Sequence, residues 1–379
     1  MLIKYIQTHP IPYQSPFIRY LIKNKIKIKV LYRSNMSTTK YYDQDFQKKI
    51  KWDTELLKNI DYKYLNYIGP NKVTSIFPIT TDFIEKIFDK NTKIIWVHGI
   101  KNWYNLIIIF LAKFFGKKVF IRDEVHKNSK KRSLLNNLFN FFFYRFIDNF
   151  IDIYLSIGTA NKNYYLKKNI DKKKIILVPY VVDNNFFYKT KKIKKNKKLI
   201  YLFAAKFRKR KGPDLLLRSI NLLKKNKTFT SNVKFVFVGE GYMKKELKEY
   251  TKQKDLKNVS FLPFQNQKRL KKIYQKSDIF VMPSREEPWG LALNEAMASE
   301  NVIISSNLVG SSFDLVKNGM NGYKFKNGDY KDLANKMLKV YHQKKRLTQL
   351  KLNSKRIISK WDFKMCLTGI KKAIRTITI

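Results

Sequence analysis

The chain has 379 residues, 44% of them apolar, which is enough for two or three compact units with sizeable cores. A single cysteine, Cys366, excludes an intrachain disulfide and a thiolate metal cluster, and it fits a reducing compartment. The formal net charge of +51 has three readings: nucleic-acid binding, attraction to an anionic membrane surface, or lysine inflated by AT-rich codons, since Asn, Ile, Phe and Tyr are abundant beside it. Nucleic acid is the least favoured partner, because no zinc finger, RNP aromatic signature or helix-turn-helix spacing accompanies the charge.

From the N-terminus, the chain reaches His9-Pro10 before an apolar run of signal-peptide length accumulates, so the opening residues read as a first strand. Short β-branched or aromatic runs then alternate with longer amphipathic segments. Strands are expected at 3–7, 28–32, 94–98, 119–122, 153–156 and 175–179, then at 199–204, 235–239, 259–262, 279–283 and 302–306, with helices between them. The longest apolar stretch, 106–112 with Phe114-Phe115 beyond it, falls short of the roughly 18 residues that argue for a membrane span. The expectation is therefore a soluble or peripheral protein of the cytoplasm or the inner face of the cell membrane. The aromatic run Phe139-Asn140-Phe141-Phe142-Phe143-Tyr144 reads as the packed face of a helix over 136–148, with a membrane-facing basic-aromatic surface as the sharper alternative.

This rhythm predicts an α/β protein of two doubly wound parallel-sheet domains, 1–190 and 191–356, joined by the lysine-rich stretch 189–198. The amphipathic segment 357–379, with Trp361, could pack on either domain and can cross back to the first. Open parallel sheets bind ligands at the carboxyl ends of their strands, so two facing sheets place the chemistry in a cleft between them.

The most informative stretch runs from Pro283 through Ser284-Arg285-Glu286-Glu287-Pro288-Trp289-Gly290-Leu291 to Glu295 and Ala298. It leaves a strand, turns at Pro288 and Gly290, and enters a helix. The backbone N–H groups around Gly290 and Leu291 are then free to hold a phosphate. Glu287 lies just before that anion site and Glu295 about one turn deeper, so one acid can reach a sugar and the other a ribose. The spacing alone is common in helical sequences. In this context, the stretch resembles the E-x7-E signature of glycosyltransferase family 4 enzymes, which have the GT-B fold.

Further motifs follow in the family's order. Lys206…Lys211-Gly212-Pro213-Asp214 resembles its Arg…Lys-Gly-x-Asp segment, Val238-Gly239-Glu240-Gly241 its Val-Gly-Asp-Gly turn, and Phe261-Leu262-Pro263-Phe264 its base-binding strand end. Pro179…Val182-Asp183…Phe186 resembles the interdomain segment, and Gly310…Asp314-Leu315-Val316 the Gly-Gly-x-x-Glu-x-Val segment with Asp for Glu. The resemblance implies a retaining hexosyltransferase with two Rossmann-like domains facing across a cleft. The acceptor, a glycan or a lipid-linked glycan of cell-surface polysaccharide, lipopolysaccharide or glycolipid synthesis, would bind the first domain and the nucleotide sugar the second.

It also implies the site. Lys206, Lys211, Gly290 and Leu291 would hold the donor diphosphate, Lys206 without the bidentate fork of the usual arginine. Glu287 would hold the donor sugar, Glu295 the ribose, and Gly239, Pro263 and Phe264 the base. His98, at a strand end, takes the place of the family histidine that faces the donor sugar, and the proline-rich first loop with His9 replaces its glycine-rich turn. His9, Arg122 and Glu124 are candidate acceptor or donor contacts. No cofactor or metal is expected: lysines and a helix dipole can stand in for a divalent cation, and no Asp-x-Asp is read in a loop suited to hold a metal diphosphate.

Overall fold

The computed structural model describes residues 1–70, 73–74, 78–100, 102–126, 133–188 and 197–378. Most of the 189–198 linker, and with it the predicted boundary at 190/191, lies outside the described residues, as do Lys130 and Lys131.

All the expected strands form, and they assemble into two parallel sheets. In the first, Leu2–Gln7 is flanked by Ile28–Tyr32 and Tyr62–Tyr64 on one side and by Thr92–His98, Lys118–Arg122, Ile153–Ser156 and Ile175–Leu177 on the other. Both faces are buried, so these strands read as nearly continuous apolar runs. Within Thr92–His98 the side chains alternate: Ile94 and Trp96 enter one core with Phe17 and Leu21, whereas Ile95 and Val97 enter the other with Ile108 and Tyr144.

The second sheet is ordered Val259–Leu262, Val233–Val238, Leu199–Ala204, Ile279–Met282, Val302–Ser306 and Gly322–Phe325. Numbered along the chain that is 3-2-1-4-5-6, the doubly wound order whose reversal lies between strands 1 and 4. Tyr201 and Phe203 face one core, Leu202 and Ala204 the other. The elements not foreseen are short: Gly322–Phe325, whose Tyr323 and Phe325 enter the core, and a polar two-stranded hairpin, Tyr41–Asp43 with Lys48–Ile50. Lysines and aspartate at three-residue strands leave no apolar period to read.

The C-terminal segment does cross back. The helix Leu347–Ile358 belongs to the second domain, whereas Phe363–Thr376 buries Cys366, Leu367, Ile370 and Ala373 against the first-domain core. Phe363 stacks on Phe17 with centroids 6.2 Å apart. A side chain at Gly369 would place its Cβ 2.2 Å from the Leu177 carbonyl, so glycine lets this helix seat against the sheet. Asn184 ties the two interdomain passages together by donating to the carbonyls of Ile358 (3.0 Å) and Trp361 (3.1 Å).

One expectation is corrected. The aromatic run does lie on a helix, Leu134–Ile147, but most of it is not core. Tyr144 and Ile147 are buried, while Leu135, Leu138, Phe139, Phe142 and Phe146 point outward. Among the described residues, no helix is long and apolar enough to cross a membrane.

Candidate active site

The loops 205–212 and 283–290 leave the carboxyl ends of the strands on either side of the second sheet's reversal. Gly212 adopts φ 72°, and a Cβ there would sit 2.1 Å from the Pro283 carbonyl, so only glycine permits the close approach of the two loops. Arg285 then locks them: its guanidinium makes two 2.8 Å bonds to the Asp214 carboxylate, and its backbone N–H donates to the Arg210 carbonyl at 2.8 Å. Lys211 and Glu287 are thereby brought into an ion pair, with the Ser284 hydroxyl 3.4 Å from the same Glu287 oxygen. The Glu287 carbonyl is held by Gly310 N–H at 3.1 Å and lies 3.0 Å from His126 Nε2. Beyond it Gly290, at φ 94°, caps the helix Leu291–Ala298, whose first N–H groups have no partner within the helix. The predicted sugar acid, one predicted phosphate lysine and the helix end predicted to hold an anion therefore share one point.

Lys206 is engaged differently. A hairpin of the first domain reaches across the cleft, and Lys206 Nζ lies 3.2 Å from Asp43 and 3.1 Å from Asp45, with Arg208 also paired to Asp45. Burial pushes the Asp45 carboxyl up, but Lys206 and Arg208 outweigh it and hold it below the usual carboxylate range. Asp43-Gln44-Asp45 is an Asp-x-Asp that meets Lys206 across the cleft, where the sequence reading had none. A polar turn gives no sign of which domain it will meet. Arg208, Asp43 and Asp45 are the site residues that reading missed.

Glu295 is half-buried on its helix and accepts a 3.0 Å bond from the Tyr274 hydroxyl. Burial raises its carboxyl to about 7, against the lowering effect of Tyr274. It lines two cavities. The smaller, about 180 Å³, is walled by Gly239, Phe264 and Ala205 of the second domain and by Phe46 and Trp52 of the first. The larger, about 400 Å³, lies between Pro12–Arg19, Asp53–Leu56 and Val182–Phe187. Gly239 and Phe264 thus stand beside Glu295 as expected, but Pro263 does not: it is exposed and lines neither cavity.

Across the cleft, His98 ends the first-domain strand next to Leu2–Gln7, at that sheet's own reversal. Its Nε2 is 3.0 Å from the Tyr180 hydroxyl and 3.7 Å from Glu124, and its Nδ1 is 3.3 Å from the Tyr5 hydroxyl. Glu124 accepts from Tyr180 at 2.7 Å and Tyr13 at 3.3 Å. Burial pushes its carboxyl up, and His98 together with these hydroxyls brings it below the usual range. His98 and Glu124 therefore form one polar network. Arg122 does not join it as a ligand contact. It is 2% exposed and donates to the carbonyls of Val178 (3.0 Å) and Pro179 (2.7 Å), fastening the interdomain passage. His9 sits near the hairpin. Burial lowers its ring to about 4 against the pull of Asp43, so it is neutral at pH 7.

Residues 184–357 match the model of the family described as "Glycosyl transferases group 1". The match falls on the second domain. Over 47% of its length the chain is 25% identical to an uncharacterized glycosyltransferase (MJ1178) of Methanocaldococcus jannaschii, covering 50% of that protein. Over 52% of its length it is 27% identical to a Campylobacter jejuni α-1,4-N-acetyl-D-galactosaminyltransferase, named for a glycan on diNAcBac-PP-undecaprenol, covering 53% of that protein. The chain spans about half the length of these curated relatives. Its fold matches Anabaena HepE in complex with UDP, with a TM-score of 0.74 and 14% identity over 99% of this chain and 100% of that one. The architecture is GT-B.

The environment of Glu295 leads to a prediction. The folded protein keeps this proton up to about pH 7, whereas an unfolded glutamate loses it near 4.5, so between those values the folded state binds more protons. The Glu295 contribution to stability is full below pH 4.5 and lost as pH rises through 7. Denaturant unfolding at pH 5 and pH 8 should show a smaller stability drop for Glu295→Gln than for wild type, by about 2 kcal/mol. Equal drops would mean that Glu295 ionises normally.

Proposed function

We propose that the chain is a retaining, hexosyltransferase-like enzyme of glycosyltransferase family 4 type. In this reading it moves a sugar from a nucleoside diphosphate donor to a lipid-linked or glycan acceptor in cell-surface polysaccharide, lipopolysaccharide or glycolipid synthesis. The observation that carries this reading is the Lys211–Glu287 pair beside the helix end at Gly290, because it unites a cation, an acid and free N–H groups at the mouth of a doubly wound sheet. The complex of the HepE structure supports a diphosphate donor, and the name of the Campylobacter relative supports a polyprenyl-diphosphate acceptor.

In this mechanism the bond between the anomeric carbon and the diphosphate oxygen breaks, and its electron pair goes to the diphosphate. Lys211, Lys206 and the N–H groups of Leu291 and Ala292 take up that charge, which is where electrostatic catalysis gains most. Glu287 holds the sugar hydroxyls and steadies the cationic sugar ring. The acceptor oxygen adds from the face the diphosphate leaves, and its proton passes to the leaving phosphate oxygen. His98 and Glu124 wall the sugar on the first-domain side. Lysines here fill the role of a divalent cation, so the reading is metal-independent. Glu295 and the cavity at Phe264 hold ribose and base.

The first domain supports attachment to the inner face of an anionic membrane. Leu135, Leu138, Phe139, Phe142 and Phe146 form one helical stripe, each between 56% and 80% exposed. The neighbouring helix also carries an exposed aromatic, Phe114 at 83%, and Phe110 of that helix packs on Phe146 at 6.1 Å. Lys113, Lys117 and Lys118 flank that helix end, and Arg145 lies on the stripe's own helix. Exposed aromatics beside a cationic rim suit an interfacial surface, and a contiguous apolar patch marks an interaction site.

Two experiments test the reading. With a donor that turns over, Glu287→Gln should lower kcat strongly while leaving nucleoside diphosphate affinity nearly intact, whereas Glu295→Ala should raise the Kd of the nucleotide. Exchanged phenotypes would reverse the two acids. In sedimentation with vesicles, binding should rise with anionic lipid content and fall with salt. Replacing Phe139 and Phe142 by Ser, or Lys117 and Lys118 by Gln, should weaken it. A protein that stays in the supernatant at every composition in low salt would remove the membrane.

A further inference from the structure

The donor side of the cleft is not open. The hairpin of residues 41–50 belongs to the first domain, yet its turn lies on the second. Asp43 Oδ1 accepts from the N–H groups of Asp45 and Phe46, both at 2.9 Å, which curls the turn so that both carboxylates face the same way. They meet Lys206 at 3.1–3.3 Å, and Asp45 also meets Arg208. The Lys206 ammonium lies 4.6 Å from the centroid of the Phe46 ring, and that ring packs edge-on against Phe264 at 4.7 Å. Two further bonds hold the segment just after the hairpin to the second domain: Asn266 donates to the Lys51 carbonyl at 2.9 Å, and the Lys268 N–H donates to Asp53 at 3.1 Å.

Two carboxylates about 3 Å from a lysine that the proposed mechanism assigns to the diphosphate resemble a diphosphate in charge and in reach. Both cannot be seated on Lys206 at once, since a diphosphate beside Asp43 and Asp45 would put like charges within a few ångströms in a partly desolvated cleft. We propose that Asp43 and Asp45 form an anionic strap that occupies the donor-phosphate cations and is displaced by the diphosphate of the incoming donor. This rests on the reading of Lys206 as a phosphate ligand. The strap keeps the cations paired while the site is empty, and it couples donor entry to movement of the first domain, because the residue it must release, Lys206, belongs to the second. It also discriminates by charge: a nucleoside alone brings nothing to replace the carboxylates.

The test is calorimetric titration of UDP, GDP and ADP, and of the matching nucleosides, into wild type, Asp45→Asn and Asp43→Asn/Asp45→Asn, in EDTA and again with Mg²⁺. The strap predicts that the double variant binds its best nucleoside diphosphate about tenfold tighter in EDTA, the single variant by less, and that nucleoside affinity is unchanged. Unchanged or weaker diphosphate binding overturns it. A loss of affinity confined to the Mg²⁺ series would mean instead that Asp43 and Asp45 hold a metal ion with the diphosphate, which also overturns it. Wild type that binds a diphosphate without any gain in the variants refutes the strap alone. If neither wild type nor variant binds any diphosphate, the donor reading itself fails. The single variant, at a half-exposed position on the turn, guards against loss of folding in the double one.

Discussion

The ion pair between Lys211 and Glu287 is the contact on which the site depends. A charge pair this buried is costly to assemble, because each group leaves water, and it persists only where the surroundings fix its geometry. Here they do. Gly212 lets one loop touch Pro283, Arg285 and Asp214 bind the loops at both ends, and backbone contacts to Gly310 and His126 hold Glu287 from behind. Removing either charge would leave the other buried without a partner, so the pair is poised to accept a substitute. On the proposed reading, a phosphate would offer Lys211 that substitute, and sugar hydroxyls would offer it to Glu287.

The same logic extends to the whole cleft. Both sheets reverse their strand order at the point where their carboxyl ends meet, so the chemistry-bearing loops of each domain face the other. The two passages between domains are fastened by Asn184 and Arg122, whose side chains bond to backbone carbonyls of the crossing segments. The last helix, seated on the first domain through Gly369, anchors one end of that joint.

Much of this was legible in the sequence, for a physical reason. Strands buried on both faces must be apolar throughout, so runs such as Ile94–Val97 and Phe235–Val238 stand out, as does the glycine-marked turn into the Leu291–Ala298 helix. What was not legible has low apolar content or depends on distant partners. The Tyr41–Ile50 hairpin buries only Ile50 among its strand residues, too little to advertise it, and nothing local in Asp43-Gln44-Asp45 tells that it meets Lys206. Arg122 was visible as a strand-end charge, but its two carbonyl acceptors lie more than fifty residues away. The aromatic helix misled in the other direction: Phe139 and Phe142 look like core by type, and only the position of Tyr144 and Ile147 on the opposite face shows that the core was already filled.

The central claim is that this arrangement is a seat for a nucleoside diphosphate. Thermal unfolding of wild type and Lys211→Ala against UDP, GDP, ADP and their sugars tests it most directly. A ligand at 100 times its Kd adds about 2.7 kcal/mol. The account predicts that at least one of these raises the wild-type Tm and that Lys211→Ala loses most of that shift. A wild type indifferent to all of them, or a variant stabilised as much as wild type, would contradict it.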